Sequence, residues 1–258
     1  MALFDVGEVA RSLPRSVIGS RLLYYLSTAS TMDVAREAAA RGSPEGTVAL
    51  AEEQTAGRGR FQRQWIAPPD VNLYFSVLLY PDLQALRRLT LATSLGVARG
   101  ITQATGLPVA IKWPNDIRRG GKKLCGILLE SALEGERVQY AVVGVGVNVN
   151  FDPLLYPEIA TTATSLMLEA GRLVSREAVL AAILLEMDHV YGDLRAGKSL
   201  REEWRPLLET LGKHVEVRWG EEREEGLAED VTEDGDLVLR RRDGSRVSLP
   251  AGEVTMQG

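Results

Sequence analysis

The chain has 258 residues, 45% of them hydrophobic and 25% charged, with a formal net charge of -5. That balance excludes a disordered chain, and with no apolar run approaching about eighteen residues no membrane-spanning helix is expected. A single cysteine, Cys125, excludes an internal disulfide and a cysteine zinc cluster, and two histidines, His189 and His214, make a histidine metal site unexpected.

The N-terminal stretch MALFDVGEVARSLPRS lacks the apolar centre of a signal peptide, so the expected compartment is the cytoplasm. Residues 31–42, TMDVAREAAARG, predict a helix with Thr31 as a possible cap and Gly42 as its stop. GTVALAEEQ (46–54) predicts a strand that runs into the loop TAGRGRFQRQW (55–65). NLYFSVLLYP (72–81) has the β-branched and aromatic content of a buried strand. Residues 85–105 carry helical spacing of Leu, Ala and Val, ended by Gly106-Leu107-Pro108. VAIKW (109–113) predicts a strand, PND a turn and KLCGILLES (123–131) a returning strand. QYAVVGVGVNVN (139–150) predicts another strand, with close backbone approach at Gly144 and Gly146. Helices are expected over 175–196 and 199–211. From Lys213 the pattern turns to short strands with Asp234-Gly235 and Asp243-Gly244 between them, a meander that suggests a small barrel. The expected division is a catalytic domain at 1–212 and a small domain at 213–258.

Positive charge gathers in two places. Residues 55–64 hold Arg58, Arg60 and Arg63 and no acid; residues 112–123 hold Lys112, Arg118, Arg119, Lys122 and Lys123 against Asp116 alone. Local cationic clusters in an acidic protein suit a small anionic ligand better than a long polyanion. In the first cluster, glycines free backbone N–H groups and arginines supply fixed forks for carboxylate or phosphate. The spacing is neither a Walker loop nor a Rossmann fingerprint. Taken alone, that loop reads more readily as a solvated surface loop, and Trp113-Pro114-Asn115-Asp116 equally as ordinary turn chemistry. Such a loop is expected to be poorly ordered when empty.

The combination is more specific. STM before a helix, then EEQTAGRGRFQRQW, then KWPND followed by KKLCGIL, then GVGVNVN, in this order, resembles biotin–protein ligases, closely over roughly residues 22–150. The meander resembles the family's C-terminal SH3-like domain. The resemblance implies an α/β fold: a catalytic domain similar to class II aminoacyl-tRNA synthetases, a mixed sheet with flanking helices, plus a small SH3-like β-barrel. It implies that biotin and ATP give biotinyl-5′-AMP and pyrophosphate, and that a lysine of a biotin carboxyl carrier protein domain then takes the biotinyl group. By motif match, Ser30, Thr31, Met32, Gln54, Arg58, Gly59, Arg60, Lys123 and Gly126 correspond to biotin contacts. Arg58, Arg60, Arg63, Trp65, Lys112, Asn115 and Asn148 correspond to contacts to ATP or the adenylate, with Trp65 on the adenine side. Lys123, Arg60, Lys112 and Asp116 are the implied catalytic residues, and Asp116 the implied contact to Mg2+ carried by ATP. Met32 stands where Asn is common and Gln62 where Gly is common. Only twenty-nine residues precede Ser30 and Pro14 interrupts them, so a helix-turn-helix domain and specific DNA binding are not expected. The family suggests a homodimer joined through sheet edges. The competing readings are a lipoate- or octanoate-type protein ligase or transferase, and a non-enzymatic nucleotide-binding regulator.

Overall fold

A computed structural model describes residues 4–13 and 17–256, and of Gln62 the backbone only. The interruption expected at Pro14 and the side chain of Gln62 lie outside the described residues.

The chain begins with a short helix, α1 (Val6–Ser12), and a strand, β1 (Arg21–Thr28), neither of which periodicity announced. β1 has an irregular, half-exposed pattern because it is a sheet edge, where neither face dictates alternation. Next come α2 (Thr31–Ala40), β2 (Thr47–Gln54), β3 (Leu73–Leu79) and α3 (Leu83–Thr105). Ser30, not Thr31, caps α2: its hydroxyl accepts from the Met32 N–H, which releases the Thr31 hydroxyl for other contacts. Asp82 caps α3 and Gly106, in the left-handed region at φ 72°, ends it.

β4 (Ala110–Lys112), β5 (Asp116–Arg119), β6 (Lys122–Glu134) and β7 (Arg137–Val147) complete a seven-stranded sheet in the order β1-β2-β3-β7-β6-β5-β4. β1 and β2 are parallel; every other neighbouring pair is antiparallel. α4 (Leu166–Ala170) and α5 (Arg176–Arg195) follow. The helix expected over 199–211 is only one turn, α6 (Arg201–Trp204), followed by a 3-10 turn over Arg205–Leu207, because Pro206 cannot continue an α-helix. The meander is five strands: β8 (His214–Trp219), β9 (Glu222–Val231), β10 (Leu237–Arg240), β11 (Arg246–Leu249) and β12 (Glu253–Met256). They form one antiparallel sheet in the order β11-β10-β9-β8-β12.

The two faces of the large sheet differ. Leu73, Phe75, Val77 and Leu79 of β3 and Ala141, Val143, Val145 and Val147 of β7 point to α3 and α5 and form the main core. The alternate positions, Ser76 and Leu78 of β3 and Val142, Gly144 and Gly146 of β7, face α2 and the cavity beside it. α3 and α5 touch closely at Gly96 and Gly100: a Cβ on Gly100 would lie 2.4 Å from the Ile183 Cα and 2.7 Å from its nitrogen. Backbone cannot yield as a side-chain tip can. Gly100→Ala is therefore expected to cost about 1–3 kcal/mol of stability by overpacking, read as a lower midpoint in urea unfolding. An unchanged midpoint would mean that the helices separate freely.

Candidate active site

The site grows from three glycines. Gly126 of β6 pairs in register with Gly146 of β7, and Gly144 lies two residues along the same face. Together they leave a patch of sheet without side chains. The Trp65 indole lies on it: a Cβ on Gly146 would come 2.6 Å from a Trp65 ring carbon, and one on Gly126 2.9 Å. A Cβ on Gly144 would meet the Met32 sulfur at 2.5 Å. The Trp65 Nε1–H is buried and has no partner.

One end of this floor is polar. The Thr31 backbone N–H donates to Gln54 Oε1 at 2.8 Å and the Thr31 hydroxyl to the same oxygen at 3.1 Å. A backbone N–H can only donate, so the amide orientation of Gln54 is fixed and its NH2 is left as a donor. The Thr31 and Ser76 hydroxyls are 2.8 Å apart.

The other end is cationic. Lys123 Nζ lies 2.7 Å from Asp116 Oδ1 and 5.4 Å from the Trp65 ring centroid. Lys123 is held by its backbone, which exchanges hydrogen bonds with Thr162 and Thr164. Lys112 stands opposite Asp116 in the β4–β5 register. Burial pushes the Lys112 amine below the usual lysine range, against the pull of Asp116. Arg118 is neutralised by Glu209 and Arg119 approaches Glu169 at 3.5 Å, so part of the cationic cluster is already paired.

The arginine loop is a small hairpin. The Trp65 N–H donates to Gly57 O at 2.9 Å and the Gly59 N–H to Arg63 O at 2.8 Å, with Arg58 and Gln64 bridged between them. Phe61 sits at the tip with φ 55°. Each arginine is tethered to a different element. Arg58 makes a two-pronged contact with Asp33 of α2 at 2.7 and 2.9 Å. Arg60 donates to Asn115 Oδ1 at 3.0 Å, and Arg63 meets Glu253 of β12 at 2.6 Å. Burial lowers the Arg60 guanidinium from its ordinary value, opposed by Asp116 and Glu253. The loop expected to be poorly ordered thus has its own ladder and three anchors.

Every candidate residue lines one cavity of about 490 Å³: Ser30, Thr31, Met32, Gln54, Arg58, Gly59, Arg60, Arg63, Trp65, Lys112, Asn115, Asp116, Lys123, Gly126 and Asn148. Their present contacts differ from some expectations. The charge of Arg58 is engaged by Asp33, and Trp65 covers the glycine floor beside Lys123. Asn148 is buried and donates to Thr164 O, which holds the 162–164 segment against the end of β7.

The sequence of this chain matches two family models, the biotin/lipoate A/B protein ligase family over residues 24–148 and the biotin protein ligase C-terminal domain over 210–256. It is 36% identical to the bifunctional ligase/repressor BirA of Bacillus subtilis, over 92% of this chain and 74% of that protein. The chain belongs to the biotin protein ligase family. Within that family it is 33% identical to the biotin–[acetyl-CoA-carboxylase] ligase of Mycobacterium tuberculosis, over 95% of this chain and 94% of that one. The fold superposes on the biotin protein ligase of Aquifex aeolicus solved with biotin and ATP, with a TM-score of 0.78 and 27% identity over 92% of this chain and 99% of that chain. The seven-stranded mixed sheet with its helices, followed by a β-domain, is therefore the biotin protein ligase fold.

Several lining residues of this biotin protein ligase were absent from the sequence candidates. Ile159, Thr162 and Ala163 come from the irregular segment after β7, which has no periodicity to read. Gly252, Glu253 and Val254 come from the C-terminal sheet, brought to the cavity where Trp113 donates from Nε1 to Gly235 O at 2.8 Å. The one available signal was the pair Gly144 and Gly146, alternating on a strand otherwise filled with valine.

Proposed function

We propose that this protein joins biotin to ATP, forming biotinyl-5′-AMP and pyrophosphate, and then moves the biotinyl group to a lysine of a biotin carboxyl carrier protein domain. The observation that carries the reading is the single cavity with a side-chain-free floor, a neutral hydrogen-bonding end and a cationic end. A bicyclic ring would lie on the glycine floor once the Trp65 indole that covers it has swung aside. The ureido carbonyl finds the Gln54 NH2 and the Ser30 hydroxyl as donors at the polar end, while the Thr31 hydroxyl fixes the Gln54 amide. The carboxylate finds Lys123, which exchanges its Asp116 partner for the ligand. A lipoyl ring has no ureido group for the polar end, which favours biotin over the lipoate-type alternative.

In the first step a biotin carboxylate oxygen bonds to the α-phosphorus of ATP and the bond to the pyrophosphate oxygen breaks. Two anions must approach, so Lys123, Arg60 and Lys112 would neutralise the developing charge. In the second step the carrier lysine nitrogen bonds to the acyl carbon, AMP leaves and the amine proton is lost, with Asp116 placed to orient that amine. Asn115 holds Arg60 over the cavity, Arg63, tied to Glu253, and Asn148 complete the adenylate side, and Trp65 starts against the glycine floor on the biotin side. Mg2+ would enter as the MgATP substrate, with Asp116, a carboxylate lining the cavity, as its contact. The net charge of -5 argues against duplex DNA as a partner. A homodimer would form through the edge of β6 beyond Ile127, where β5 no longer pairs.

The test is biotin-dependent exchange of labelled pyrophosphate into ATP; exchange with lipoate but not biotin would overturn the reading. A second expected result concerns the loop. Arg63 is two-thirds exposed, so trypsin should cut the free protein within 58–63. Biotin with MgATP should slow that cleavage on the order of tenfold, because ligand contacts made only by the closed form shift the population toward it. Biotin alone should protect less, since it brings no phosphate. Equal cleavage rates with and without the full ligand set would refute ordering by ligand.

A further inference from the structure

Asp33 is not a lining residue of the cavity, yet it holds the root of the loop that covers it. It lies in the first turn of α2, three residues past the capping Ser30. Both of its carboxylate oxygens take a nitrogen of Arg58, at 2.7 and 2.9 Å, and Arg36 contacts it from the next turn. Glu130 of β6 stands 3.9 Å from Arg58 and 3.8 Å from Arg36. Two acids and two arginines thus join α2, β6 and the hairpin stem. A forked carboxylate–guanidinium contact fixes direction as well as distance, which a single-point lysine contact would not. Arg58 sits in the stem rung opposite Gln64, and two residues on Arg60 crosses to Asn115. Fixing Arg58 therefore fixes the plane from which Arg60 reaches over the cavity.

We propose that Asp33 is a positioning residue whose grip on Arg58 keeps the hairpin closed, so that the activated intermediate is retained until the acceptor arrives. The inference rests on the ligase reading. A mixed anhydride of carboxylate and phosphate is hydrolysed by water, and a closed lid is what excludes water. Ser30 supplies the helix cap, so Asp33→Asn keeps the cap and the side-chain shape while removing the charge.

The experiment forms biotinyl-adenylate on the enzyme from biotin and MgATP, removes free ligand and follows loss of the labelled intermediate. Wild type, Asp33→Asn, Asp33→Glu and the charge exchange Asp33→Arg with Arg58→Asp are compared. Asp33→Asn should shorten retention roughly five- to tenfold, as expected for a two-pronged but part-exposed ion pair. It should lower the initial rate of pyrophosphate exchange by less than it shortens retention, because Arg60 keeps its own tether to Asn115. Asp33→Glu and the charge exchange should recover part of the retention. A purely structural Asp33 would instead lower the melting temperature and leave retention unchanged, and that result overturns the proposal. If wild type itself shows no biotin-dependent exchange, the ligase reading fails; if it exchanges but Asp33→Asn retains the intermediate as long, only the latch fails.

Discussion

Lys123→Ala should reduce biotin-dependent pyrophosphate exchange on the order of a hundred- to a thousandfold, the usual loss when one preorganised charge contact to a transition state is removed. The fold should survive. Lys123 is fixed by backbone hydrogen bonds to Thr162 and Thr164, which alanine retains, and its side chain is about one-third exposed. The ion pair with Asp116 at 2.7 Å is correspondingly screened, so its loss should lower stability by no more than about 1 kcal/mol. Lys123→Arg should recover little, because a planar fork cannot occupy the place of a compact amine beside the Trp65 ring. Exchange measured beside a thermal melt separates the two effects. Near-normal exchange in a folded Lys123→Ala protein would remove Lys123 from the chemistry.

Gly146→Val should weaken biotin binding by roughly a hundredfold or more, since one surplus methylene in a fitted pocket already costs about ten- to two-hundredfold. The first added carbon would lie 2.6 Å from a Trp65 ring carbon, and two further ring atoms are 2.8 Å away. The indole must leave the floor, and the branched side chain then stands where the ligand ring would lie. Valine suits a strand, and Gly146 faces the cavity rather than the core, so the melting temperature should change little. Gly144→Ala is the internal comparison. Its Cβ would meet the sulfur of Met32, the end of a flexible side chain that can swing aside, and a smaller loss is expected. Titration calorimetry with biotin checks both. A Gly146→Val protein that binds biotin as wild type does would show that the glycine patch is not the floor.

These expectations rest on contacts of two kinds, and the difference explains what a reader of the sequence alone can reach. α3 is legible because its apolar spacing, the Asp82 cap and the Gly106 stop all lie within the helix and its ends. β3, buried on both faces, is legible for the same local reason, and so is the C-terminal meander with its Asp-Gly turns. The order of the motifs named a chemistry through its resemblance to a known family, since Gly-Arg-Gly-Arg and Lys-Trp-Pro-Asn-Asp each alone read as a surface loop and an ordinary turn. β1 was not legible, because an edge strand has no buried face to impose alternation, and the 199–211 helix was overestimated because Pro206 outweighed its apolar spacing.

Partners across long separations belong to the tertiary structure. Arg58, Arg60 and Arg63 read as three equivalent cations; the fold gives them Asp33, Asn115 and Glu253, on three different elements. The buried pair of Glu52 and Arg176 at 2.6 Å spans 124 residues and unites β2 with the start of α5, yet each residue alone reads as an ordinary surface charge. Gly126 and Gly146 form a floor only because β6 and β7 pair in that register, and a slip of one strand by one residue would turn one of the two glycines to the core. Local sequence sets where the chain bends, caps and alternates. The strand order then decides which side chains meet, because a charge or a bare patch acquires its role from what the rest of the chain packs beside it.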